Sequence, residues 1–173
     1  NLLLNLDIKA PNFVNNFFGL GNESNYNKDL DLTYYRTRYQ SYLVNPSLSF
    51  QVGSKANFTA GARLWGVEIE ENQGRFVSDF PNNGLDPNII EEHRAYIGAN
   101  LGFHFDTKDD VVFPKRGITF NTDLIYDNGL GSDAFNSARW TTDLTFRWVL
   151  DGLGRTSMAT RVGYNKSFGD FEF

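Results

Sequence analysis

From residue 117 to residue 168, apolar and polar side chains alternate almost without a break, a period of two that β-strands satisfy and helices do not. The clearest piece is Trp140, Thr142, Leu144, Phe146, Trp148 and Leu150, with Thr141, Asp143, Thr145 and Arg147 between them. Successive side chains of a strand point to opposite faces. One face here is therefore a row of aromatic and aliphatic groups, and the other carries an acid and a base. A soluble sandwich also alternates, but it rarely sets two Trp and a Phe behind an ionic face. A transmembrane barrel requires that division, with lipid outside and a polar lumen within.

Upstream segments repeat the pattern. Residues 1–10 set Leu2, Leu4, Leu6 and Ile8 against Asn5, Asp7 and Lys9. Residues 31–52 alternate cleanly only in their second half, and Pro46 there implies a bulge, an edge, or two shorter strands. In residues 56–70 the apolar set Phe58, Ala60, Ala62 and Leu64 gives way to Trp65, Val67 and Ile69, a change of phase that predicts a β-bulge. Residues 94–106, 117–127, 139–150 and 156–168 complete a set of seven strands, or eight if the second breaks at Pro46. Each is long enough to cross a bilayer as a tilted strand, which takes roughly 9 to 11 residues. No segment carries a helical stripe, and no apolar run approaches the ~20 residues of a transmembrane helix.

The connections sort by parity. Residues 53–55, 107–116 and 151–155 are the shorter ones. Residues 11–30, 71–93 and 128–138 are longer and rich in Asn, Gly, Ser, Asp and Pro. Alternating long and short connections belong to an up-and-down barrel with short periplasmic turns and long external loops. The expected fold class is therefore all-β: an antiparallel up-and-down transmembrane barrel, present as an incomplete barrel or open curved sheet of about seven to eight strands. Residues 1–173 form one domain on this reading.

Composition agrees. A net charge of -5 with no basic stripe speaks against a nucleic-acid partner. The absence of Cys excludes a disulfide scaffold and cysteine-based zinc sites. The chain opens at Asn1 without an initiator Met or a secretory signal and stops within a segment, so we expect an excerpt from a longer protein.

One turn carries a resemblance. Asp109-Asp110-Val111-Val112-Phe113-Pro114-Lys115-Arg116-Gly117 resembles the D-D-x-x-F-P-x-R-G turn of the bacterial surface antigen superfamily, the BamA, TamA and FhaC-type barrels. The family turn motif falls on Asp109, Asp110, Phe113, Pro114, Arg116 and Gly117. The Asn16–Glu23 stretch is similar to barrels of this kind that follow a phosphoesterase-like domain. The resemblance implies a periplasmic turn near the middle of a larger outer-membrane barrel. It also implies a parent that inserts or translocates proteins, or that anchors a periplasmic domain. The family's Arg-Gly-aromatic motif on a lumen loop would lie just past Phe173, and its first and last strands are not in this chain. Expected partners are outer-membrane lipid and other outer-membrane or periplasmic proteins, and no cofactor is expected.

Inward-facing Arg63, Arg94, Asp123, Asp143, Arg147 and Arg161 are the candidate lumen charges. Their first role would be a paired network bracing the wall, because isolated buried charges are costly. Arg147 and Arg161, with Asp143 nearby, suit such pairing. A conduction path is the other use. His104 and His93 would need a nucleophile and an orienting acid to make an enzyme, and no Ser sits in an elbow motif, so no enzymatic role is expected. Asp106, Asp109 and Asp110 lack the spacing of a calcium loop and are expected to be solvated turn residues. Trp140 and Trp148 are spaced to reach the two aromatic girdles of a membrane barrel. Two rival readings are a soluble barrel or sandwich holding an apolar ligand, with Phe146, Trp148 and Leu150 turned inward, and a barrel enzyme of the outer membrane.

Overall fold

The alternation becomes eight strands in a computed structural model that describes residues 2–9, 13–19, 26–70, 73–79, 93–131 and 135–169. They are β1 (Leu2–Lys9), β2 (Phe13–Asn16), β3 (Arg36–Val52), β4 (Ala56–Ile69), β5 (Arg94–Asp106), β6 (Gly117–Leu130), β7 (Ser137–Val149) and β8 (Ser157–Gly169). All belong to one antiparallel sheet in the order β1-β3-β4-β5-β6-β7-β8, with β2 also paired to β3. Short 3-10 turns at Leu32–Tyr35 and Phe76–Ser78 are the helical elements among the described residues. The expected parity of the connections does not hold throughout: residues 17–35 and 70–93 are long and 53–55 is short, but β6 runs on to Leu130 and leaves only residues 131–136 before β7, fewer than the ten between β5 and β6.

Three local expectations are corrected. The eighth strand comes from Phe13–Asn16, inside what the sequence reads as a connection, and not from a break at Pro46. β1 and β2 run along β3 in one alignment, Leu2 opposite Phe50 and Phe13 opposite Tyr39. β3 passes through Pro46 unbroken. The proline, which has no N–H to give, interrupts the pairing with β4 only between Val44–Leu64 and Ser47–Gly61, and the register is the same on both sides. The bulge at Trp65 is absent, since β4 keeps one register against β3 and one against β5 from end to end. Trp65, Val67 and Ile69 lie on the polar side of the alternation, where β4 leaves the polar stretch and meets the long connections.

Those connections hold the main apolar core. Tyr35 is buried at the centre of a ring cluster that includes Phe18, Tyr26, Tyr34 and Phe76. Val77 packs beside it against Phe17 and Ile69. On the strands below, Trp65 stacks on Tyr96 with ring centroids 4.3 Å apart.

The sheet does not close. β1 and β8 sit at opposite ends of a path with seven places. An odd number of antiparallel places makes the two edges parallel to each other, and single-chain bacterial barrels close instead with an even number of antiparallel strands. The strands are also staggered. One row of neighbours starts at Leu4, the third residue of β1, and passes through Leu48, Ala60, Leu101, Leu124 and Trp140 to Lys166, close to the end of β8. A drift of that sense is what strands tilted in a barrel wall require.

Candidate functional site

The two faces of the sheet invert the burial of a soluble protein. Leu48, Phe50, Leu101, Leu124, Phe146, Trp148 and Val162 lie on one face and are exposed. Thr37, Ser49, Arg94, Thr119, Asp127 and Thr145 lie on the other and are buried. The contrast holds between neighbours: Thr145 is 7% exposed and Phe146 is 37%. Trp140 and Trp148 both stand on the apolar face, toward opposite ends of β7. The aromatics of that face are layered. From the long-connection end downward, β3 runs Tyr42, Val44, Pro46, Leu48, Phe50, β6 runs Tyr126, Leu124, Thr122, Phe120, Ile118, and β7 runs Trp140, Thr142, Leu144, Phe146, Trp148. Two of its polar groups bond within the sheet. Trp140 Nε1 donates to Thr122 Oγ1 at 2.9 Å, and Thr142 Oγ1 donates to the Asn121 carbonyl at 3.1 Å.

The polar face is a network organised by glycines. Arg63 and Asp127 stand on β4 and β6, with Gly98 of β5 directly between them in register. Arg63 Nε donates to Asp127 Oδ1 at 3.1 Å. A Cβ on Gly98 would lie 2.3 Å from that same oxygen and 2.2 Å from the Tyr126 carbonyl, so only a bare backbone lets the pair meet. Gly102 makes similar room for the Asp123 carboxylate, and Gly61 for the Asn100 amide. Arg161 pairs with Asp143 across β7 and β8, beside Gly163. Arg147 does not share that acid as the sequence suggests; its Nη1 donates to Thr119 Oγ1 at 3.0 Å. Arg94 is buried near the long-connection end, its guanidinium 5.9 Å from the centre of the Phe135 ring. Ser49 and Thr59 join hydroxyls at 2.9 Å, and Asn5 Nδ2 donates to Ser49 Oγ at 3.0 Å.

Sequence reasoning missed Asp127 as the partner of Arg63. Its phase was the available signal, since Asp127 falls on the same side of the alternation as Asp123. His104 is a polar-face residue bonded to Asn121 through Nδ1, and His93 lies 3.5 Å from Glu68.

The family-like turn has a chemical rationale for its two aspartates and its glycine. Asp110 Oδ1 accepts from the amides of Val112 and Phe113 at 2.8 Å. Asp109 Oδ1 accepts from Lys115 and Arg116 at 2.9 and 3.0 Å and closes the loop across its base. The Arg116 and Phe113 amides, foremost among these donors, hold both carboxyls below their usual range. Gly117 has φ +123°, and a Cβ there would strike the Thr107 carbonyl at 2.6 Å. Lys115 Nζ reaches the Gly154 carbonyl at 2.8 Å and ties this turn to the next. Pro114 follows the exposed Phe113. Of the Asn16–Glu23 stretch, residues 20–23 lie outside the described residues, as do most of residues 71–93 and residues 132–134.

The architecture is an open all-β antiparallel sheet of eight strands with one apolar and one polar face. Comparison with models of known families, with curated proteins and with solved structures finds no match.

Proposed function

We propose that this sheet is a section of the wall of an outer-membrane β-barrel resembling the surface antigen superfamily, and that it acts as scaffold and not as an enzyme. Its parent would insert or translocate proteins, or anchor a periplasmic domain. The reading rests on the inverted burial: large apolar groups exposed on one face of every long strand, and hydroxyls and ion pairs buried on the other. The layering of aromatic, aliphatic and aromatic residues on β3, β6 and β7 matches two girdles around a hydrocarbon band. The internal bonds of Trp140 and Thr142 suit a medium without water, where an unsatisfied polar group costs several kcal/mol. A soluble barrel holding an apolar ligand would cover Phe146, Trp148 and Leu150, and these are exposed. The family part of the proposal rests on the turn from Asp109 to Gly117.

Vectorial labelling tests the proposal. Cysteines replacing Lys28 and Asn136, both exposed in connections at the end of the sheet away from Ser54, should react with an impermeant maleimide on intact cells. One replacing Ser54, in the turn between β3 and β4, should react only after the membrane is broken. Reaction at Ser54 alone would reverse the orientation and remove the family assignment. Equal reaction at all three would remove the membrane.

A further inference from the structure

The turn between β5 and β6 spends ten residues where the turn between β3 and β4 spends three. What the extra length displays is apolar. Val111, Val112 and Phe113 are 88%, 72% and 78% exposed, and Leu153 in the neighbouring turn is 74% exposed. This tip is held rigidly by the two aspartates beneath it and by the Lys115–Gly154 tie between the turns. The exposed apolar residues at the adjoining strand ends are Ile118 on β6 and Trp148 on β7, with Leu150 just after it. Exposed apolar groups on a fixed backbone mark an interaction site.

We infer that the two tethered turns form an interfacial anchor that seats in the headgroup–acyl boundary of the leaflet on the short-turn side, taking zwitterionic phospholipid as its partner. This rests on the membrane reading above. Charge selects the lipid class. Acids Asp109 and Asp110 flank the apolar tip on one side, and bases Lys115 and Arg116 flank it on the other. A surface with both signs matches a headgroup that carries both a phosphate and an ammonium, and it has no reason to prefer an anionic one. An apolar tip with polar flanks lies in the interface and does not span it.

The full-length protein, refolded in phosphatidylcholine–phosphatidylethanolamine vesicles, provides the test. A single cysteine at Phe113→Cys carries an environment-sensitive dye, and Phe146→Cys carries the same dye as a reference for the wall. Val111→Cys repeats the measurement at a second tip position. Lipids brominated near the glycerol should quench the dyes at 113 and 111, while aqueous iodide should not. Mid-chain bromines should quench the dye at 146, and added anionic lipid should leave all three unchanged. Iodide quenching at both tip positions would overturn the anchor. So would protection from iodide and bromolipid alike, which would put a protein over the turn. If the dye at 146 escapes lipid quenchers, the membrane reading itself fails, so the two failures are distinguishable.

Discussion

Arg63 meets Asp127 by passing over Gly98, three residues on three successive strands in one row, with 3.1 Å between donor and acceptor. The side chains are 15% and 7% exposed, so the pair is shielded from water and depends on its geometry. Breaking a buried pair leaves an uncompensated charge, which typically costs about 3 to 5 kcal/mol.

Gly98→Ala should therefore destabilise the folded protein by about 3 kcal/mol, and Asp127→Asn by a similar amount. Both variants disturb the Arg63–Asp127 pair, so the double variant should cost less than the sum, the remaining cost of Gly98→Ala being its clash with the Tyr126 carbonyl. Urea unfolding of the protein in lipid measures all three. Strict additivity would show that Gly98 serves only the backbone.

Val162 and Asn165 compare the two faces on one strand. Val162→Arg, in the middle of β8 on the apolar face, should cost about 2 to 4 kcal/mol in a bilayer. Asn165→Arg points to the polar face beside Thr141 and should be far milder. Comparable costs in reversible unfolding from lipid would mean that the faces have been exchanged.

Tyr34 gives the long-connection cluster a pH dependence. Its hydroxyl donates to Asp79 Oδ2 at 2.6 Å, and that bond, with burial, pushes its pKa up to about 12 from 10. The neutral phenol is the form the fold favours. The stabilisation is complete below about pH 10 and is lost as the pH climbs from there toward 12. Aromatic circular dichroism should report the cluster loosening in that alkaline window, and Tyr34→Phe should remove the step.

Asp109 makes the opposite prediction for the turn. Its carboxyl is depressed by the Arg116 and Lys115 amides, so its contribution holds above the ordinary carboxylate pKa and fades as the pH falls through the lowered value. Asp109→Ala should speed hydrogen exchange at the Lys115 and Arg116 amides at neutral pH, while amides in mid-β6 stay protected. Unchanged exchange at both amides would show that the carboxylate does not close the loop.

The alternation from Trp140 to Leu150 was enough to specify strands and their two faces. Period two is a local property that each strand carries alone. The Asp109–Gly117 turn was legible for a similar reason, since its hydrogen bonds close within nine residues of chain. Environment was not legible. A passage from polar lining to the roof beneath Tyr35 and Phe76 looks, in one dimension, like a slip of phase, and so Trp65 suggested a bulge that β4 does not have. Nor does a strand declare its neighbours' cargo. Arg63 and Asp127 lie 64 residues apart, and only the registers of β4 on β5 and β5 on β6 bring them to the two sides of Gly98. The sequence by itself determined which side of each strand is polar. The tertiary structure decided which charges meet there, because pairing across a sheet depends on register and on the bare glycine between them, and neither is written in the spacing of any one strand.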